Sequence, residues 1–209
     1  MAILENCQLK MSAYPSARIF YDNDSDIETD IPDYIGTHMI RDPRDVVVSG
    51  YFYHQWTKEV GYSMYDEKLG TTYQERVNTL PKEEGMMFEM QNKGVETMNK
   101  MRRWSYINPL FLEIRYEDLI ADPDAVFTKM FQHWGVTPEN LTECLNISRD
   151  NHMTQMTGRK VGEEQAGSHM RNGLPGQWKQ HFSEVHKTYF KEHFGDILIH
   201  LGYEKSNDW

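Results

Sequence analysis

The residues of this chain best placed to do chemistry stand in Thr37-His-Met-Ile-Arg-Asp-Pro-Arg-Asp-Val-Val-Val-Ser-Gly-Tyr-Phe-Tyr-His54. The stretch predicts a short buried strand ending in Met39 and Ile40, a tight turn, and then a helix. Asp42 is a good N-cap, Pro43 suits the first helical position, and Asp45 falls where a capping-box acid would sit. Arg41 is then the last strand residue, beside free N–H groups at the positive end of a helix, a geometry that binds anions. Ser49 follows eight residues after Arg41, roughly two helical turns, so its hydroxyl shares that face. The plainer reading is a capped helix with a surface arginine. Tyr51, Phe52, Tyr53, His54 and Trp56 make an aromatic cluster that either walls an acceptor pocket or simply packs. His54 reads as a proton shuttle or as a structural histidine.

Composition bounds what such a site can serve. At 209 residues, one domain covering 1–209 is expected, with 39% hydrophobic and 12% aromatic residues to build a core. The net charge of −10 argues against nucleic acid as a partner. It also repels anionic ligands, so an anion site needs a local basic focus, which Arg41, Arg44, Arg171 and Lys179 could supply. The apolar runs are too short to cross a membrane, so no membrane association is expected. Met1-Ala-Ile-Leu-Glu-Asn-Cys7 lacks the basic and apolar regions of a signal peptide. Two cysteines, Cys7 and Cys144, fit reduced thiols in a cytoplasmic compartment better than a disulfide. No Cys/His cluster has zinc-ligand spacing, and no metal is expected.

The elements that must position these residues follow from pattern. Ala17 to Tyr21 reads as a strand, followed by the acidic loop Asp22-Asn-Asp-Ser-Asp26. The helix from Pro43 should reach about Trp56, with Val46, Val47, Gly50, Tyr53 and His54 at core spacing. Residues 57–82 read as a loop and a short helix. Glu83 to Trp104 reads as one long helix with Met86, Met87, Met90, Val95, Met98 and Met101 on its apolar face. Pro109 to Tyr116 is a continuous apolar strand suited to a parallel sheet. Asp122-Pro123 and Thr137-Pro138 each open a helix, the second to about Leu145. Residues 157–177, with five glycines, form a loop long enough to be functional. Ser183 opens the last long helix, which Gly195 is expected to break.

Three ordered segments carry a resemblance. Arg41-Asp-Pro-Arg-Asp-Val-Val-Val-Ser49, with the aromatics after it, resembles the 3′-phosphate-binding strand and helix of sulfotransferases that use 3′-phosphoadenosine 5′-phosphosulfate. Arg171-Asn-Gly-Leu-Pro-Gly-Gln-Trp-Lys-Gln-His-Phe182 resembles that family's Arg-Lys-Gly-x-x-Gly-Asp-Trp-Lys-x-x-Phe loop. Arg115-Tyr-Glu-Asp-Leu119 resembles its Tyr-Glu-Asp-Leu at a strand end. The resemblance implies an α/β, P-loop-NTPase-like sulfotransferase fold, with a central, mostly parallel sheet flanked by helices. It implies transfer of a sulfuryl group to a hydroxyl or amine of a small-molecule or glycan acceptor, leaving 3′-phosphoadenosine 5′-phosphate. By the same resemblance Arg41, Ser49, Arg171, Asn172 and Gly173 hold the 3′-phosphate. Tyr116 and Met153 lie near adenine, Met153 standing where the family has phenylalanine. Asp22 and Asp24 stand where the family's acceptor-activating base lies; a solvated acidic loop is the plainer reading of both.

The chain departs from the family in two places. Asn172 replaces a lysine, which removes charge but keeps the backbone N–H groups. Tyr14-Pro15-Ser16 is followed at once by Ala17-Arg18, without the lysine, glycine and threonines of the family's 5′-phosphosulfate loop. Parallel neighbours need a crossover of about a dozen residues, so residues 1–16 are expected to form an atypical arm, with the first strand, loop and helix truncated or rearranged. Losing one preorganised donor costs about 2.7–4 kcal/mol of barrier, so impaired transfer is expected, with a non-catalytic nucleotide-binding or interaction protein as the alternative. Loss of a central strand also leaves sheet edges open, so homo-oligomers are expected.

Overall fold

The computed structural model describes residues 34–169 and 171–209. The arm 1–16, the expected strand Ala17–Tyr21 and the carboxylates Asp22 and Asp24 lie outside them. In chain order the elements are β1 (Gly36–Ile40), α1 (Pro43–His54), α2 (Val60–Ser63), β2 (Tyr65–Asp66), β3 (Thr71–Thr72), α3 (Tyr73–Thr79) and α4 (Lys82–Glu89). A π-helical turn (Met90–Gly94) joins α4 to α5 (Val95–Arg103). There follow β4 (Phe111–Arg115), α6 (Tyr116–Ala121), α7 (Pro123–His133), α8 (Pro138–Asp150), α9 (Met153–Thr157), α10 (Trp178–His181) and α11 (Glu184–His200). These elements form two compact units. One holds the described part of Met1–Ile40 with Ser105–Glu163; the other holds Arg41–Trp104 with Glu164–Trp209.

In the first unit, β1 and β4 pair in parallel, Gly36 opposite Phe111 and Ile40 opposite Arg115. His38 and Glu113 face each other in this register, and His38 Nδ1 lies 2.6 Å from the Glu113 carboxylate. The strand is shorter than its apolar run, because Asn108 turns the chain back and accepts the Leu110 N–H at 3.0 Å. Tyr116 opens α6 rather than closing the strand. Asp122 caps α7 by accepting the Ala125 N–H at 3.0 Å. α8 outruns its expected end near Leu145 and reaches Asp150. Phe131, Val136 and Cys144 are the buried centre against which Phe127, Trp134 and Leu141 pack.

In the second unit, α1 buries Val47, Val48, Tyr51 and His54. That face is one residue off the expected one: Val46 and Tyr53 are half-exposed, while Val48 and Tyr51 go inside. The predicted long helix from Glu83 is interrupted by the π turn, whose extra residue per turn resets the phase of its apolar stripe. Met86, Met90 and Met98 reach full burial, whereas Met87 and Met101 stay partly exposed. α11 starts with a capping box in which Ser183 and His186 exchange hydrogen bonds. It runs unbroken through Gly195. A side chain there would collide with Asn207, so this glycine serves close packing of the chain's last residues on the helix, not a break. Among the described residues no helix is long and apolar enough to cross a membrane.

Candidate functional site

The site is built on one face of α1 in the second unit. Asp45, Ser49 and Phe52 stand at i, i+4 and i+7, so they line up along the helix. The loop that carries Arg171 meets this face at several heights. Near the C-terminal end, the His169 ring lies 5.0 Å from Tyr53 and 5.1 Å from Trp56. On the adjacent residue Phe52, the Arg171 guanidinium lies 4.0 Å from the ring centre. At the first turn, the Asp45 carboxylate accepts the Gly176 N–H at 2.6 Å and the Trp178 N–H at 2.8 Å. Two motifs far apart in sequence thus lie along one helix, the loop running opposite to its direction.

Arg41 follows the last residue of β1, with Nη2 4.0 Å from Asp45 Oδ2. Asp42 caps α1 as expected, accepting the Arg44 N–H at 2.9 Å. Asp45 departs from expectation. Its carboxylate is fully buried, and its oxygens take amides from the distant loop. Burial pushes its carboxyl up, while the Trp178 N–H, the Arg41 charge and the Gly176 N–H pull it back. No sequence signal separates this use from a capping box, because the cap pattern is local and the partners are not.

Ser49 is exposed on the same face. Arg171 is 13% exposed and pairs with Glu164 at 2.5 Å. Asn172 turns the loop by accepting the Leu174 N–H at 3.2 Å, and Gly173 sits at φ 78, where other residues are strained. An accessible hydroxyl on α1, and two arginines that reach the Asp45 and Phe52 side chains of the same helix face, suit a phosphate monoester.

Other expected residues fall elsewhere. Arg44 is only 2% exposed, held by both Asp42 oxygens and by Glu204 at 2.6 Å. It is a buried structural cation and adds nothing to the basic focus. Lys179 is exposed, with Nζ 5.8 Å from the centre of the Trp178 ring. His54 is 6% exposed; Nδ1 lies 2.8 Å from Glu89, and its ring stacks on Tyr62 at 4.0 Å. Tyr73 donates to the same Glu89 oxygen at 2.8 Å. Burial, then the Glu89 charge, raises the Tyr73 pKa. That is the setting of a structural histidine. Tyr116 is half-buried at the start of α6, and Met153 is the first residue of α9; both belong to the first unit.

Sequence reasoning missed Lys82 and His181. Lys82 Nζ lies 2.9 Å from His181 Nδ1, and the His181 ring meets Phe52 edge-on at 5.0 Å. Burial, then Lys82 and Arg171, hold the His181 pKa down at about 4, against the pull of Glu164.

Residues 37–206 match the family model described as sulfotransferase domain. Mouse sulfotransferase 2A1 is 27% identical over 169 residues, 77% of this chain and 55% of the mouse protein. Rat sulfotransferase 2A6 is 29% identical over 175 residues, again 77% of this chain and 55% of the rat protein. The chain therefore spans about half the length of the curated relatives it matches. The solved structure of mouse sulfotransferase SULT7A1 complexed with PAP aligns at a TM-score of 0.53 and 15% identity, over 79% of this chain and 58% of that one. At that identity the likeness speaks for the fold alone.

Proposed function

The chain belongs to the sulfotransferase family, and from that premise we propose that Arg41, Ser49, Arg171, Asn172 and Gly173 hold the 3′-phosphate of 3′-phosphoadenosine 5′-phosphosulfate. The protein transfers the sulfuryl group to a hydroxyl or amine of a small-molecule or glycan acceptor. One observation carries the reading: Arg171 rests on Phe52, one turn from Ser49, although the two motifs are far apart in sequence.

When bound, the cosubstrate supplies the sulfuryl group and its leaving group. The chain's part is to hold the nucleotide and position the acceptor. Two guanidinium groups offer planar donor forks to a doubly charged monoester, and the Ser49 hydroxyl adds a neutral donor. Glu164 pairs with Arg171 Nη1 and would compete with the phosphate for that donor. Tyr53 and Trp56, half-exposed beside His169, offer an apolar wall for the acceptor. Asp22 and Asp24 are the proposed acceptors of its proton. Sulfuryl transfer, like phosphoryl transfer, depends mainly on such positioning and on positive charge around the moving group.

A non-catalytic nucleotide-binding role would use the same residues. The stretch Tyr14-Pro15-Ser16-Ala17 favours it, since it lacks the lysine, glycine and threonines that would surround the moving sulfuryl group.

Two assays decide. Calorimetry should show 3′-phosphoadenosine 5′-phosphate binding at least tenfold more tightly than adenosine 5′-phosphate. Arg171→Ala should abolish that preference, while Asp22→Ala leaves it intact. Equal affinities for the two nucleotides, or equal effects of the two substitutions, would refute the site. Labelled sulfuryl transfer to a panel of alcohols and amines then separates an enzyme from a binding protein.

A further inference from the structure

The Asp45 side chain meets both arms of the proposed anion site. Its Oδ2 lies 4.0 Å from Arg41 Nη2 and accepts the Gly176 N–H, and its Oδ1 accepts the Trp178 N–H. It is fully buried, so these contacts are unscreened by water.

The loop depends on such an anchor. Among its described residues, no helix or strand interrupts it between Thr157 and Trp178. Gly167, Gly173 and Gly176 all have positive φ, so the backbone there has little intrinsic preference for one path. Arg171 and Gly173 lie only a few residues upstream of the two amides that Asp45 holds. The fold has other means of keeping Trp178 in place, because that ring lies 3.8 Å from the Arg44 guanidinium and packs edge-on to Trp209 at 5.3 Å. The Asp45 contacts are therefore not the only ones that hold the tryptophan. What they fix is the path of the backbone just before it, and the place of Arg41 relative to that path.

We propose that Asp45 is the positioning residue of the 3′-phosphate site: without touching the nucleotide, its carboxylate holds Arg41 and the Arg171–Gly176 segment in one frame. The inference rests on the reading that Arg41 and Arg171 bind the 3′-phosphate. It explains why an acid stands inside a site for an anion. The carboxylate accepts two amides of the loop and faces the Arg41 guanidinium at 4.0 Å, so its charge is turned toward the frame rather than toward the ligand. An asparagine at this position has the same shape, but its NH₂ group would face one of the two amide donors and leave that N–H without an acceptor.

Asp45→Asn is tested in the full chain by calorimetry with 3′-phosphoadenosine 5′-phosphate and with adenosine 5′-phosphate. Amide hydrogen exchange of the peptide spanning 171–178 is followed in parallel. The expected result is at least tenfold weaker binding of the 3′-phosphorylated nucleotide, less than twofold change for the other, and faster exchange in the loop. A purely structural role would lower both affinities together, and that outcome overturns the inference. So does an unchanged preference in the variant when the wild type has one. A wild type with no preference overturns the site reading, and this inference with it. If Asp45→Asn does not fold, Asp45→Glu gives the same readout: it keeps the charge but displaces the loop by one methylene, and should also lose the preference selectively.

Discussion

The Arg44 guanidinium lies 3.8 Å from the centre of the Trp178 ring, and 4.5 Å from that of Trp209. The first turn of α1 is thereby joined to the end of the Arg171 loop and to the last residue of the chain. Burial alone would lower the Arg44 pKa, but Asp42 and Glu204 outweigh it and raise it, so the charge is permanent. Removing one partner of a buried pair leaves the other uncompensated, typically at about 3–5 kcal/mol. Arg44→Ala should fall in that range by urea denaturation. Arg44→Lys should recover only part of the loss, because an ammonium cannot donate in the planar fork that Asp42 accepts. Full recovery by lysine would show that charge alone suffices.

Gly50 makes room for a buried acid. A Cβ there would stand 2.7 Å from Glu89 Oε1, in the carboxylate that joins His54 and Tyr73. Gly50→Ala should therefore cost about 1–3 kcal/mol by overpacking, even though alanine is the better helix former. Thermal denaturation checks it. A stabilised variant would mean that Glu89 moves aside freely.

Stability should carry a pH signature from His181. Its folded pKa of about 4 lies below the ordinary 6.5. Between those values the unfolded chain binds a proton that the folded chain does not, so stability rises with pH across that window and falls on acidification. The melting temperature of His181→Gln, plotted against pH from 4 to 7, should be flatter than that of the wild type. Parallel curves would place the acid dependence entirely on other groups.

Phe52 should matter to the nucleotide through Arg171. Replacing the ring by leucine removes a cation–π contact of about 0.5–1 kcal/mol. Phe52→Leu is expected to weaken 3′-phosphoadenosine 5′-phosphate about two- to fivefold and to leave adenosine 5′-phosphate unchanged. Calorimetry with both nucleotides reads it; equal losses would detach Phe52 from the arginine's role.

Much of the local structure follows from the sequence, because caps and periodicity act over a few residues. Asp42-Pro43, Asp122-Pro123 and Ser183 each start a helix where their side chains predict. The family, too, is legible, since three motifs in order identify it. Tertiary structure alone decided which side chains those motifs spend on each other. Arg44 and Arg171 look alike as basic residues. Only the folded chain puts Arg44 among Asp42, Glu204 and two indoles, and leaves Arg171 held by an exposed glutamate. Asp45 fits a capping box by spacing, yet two amides more than 130 residues away claim it. The π turn after Glu89 and the passage of α11 through Gly195 were hidden for the same reason. Helix propensity and capping depend on neighbours in sequence, whereas partnership and close packing depend on neighbours in space, which the sequence does not order.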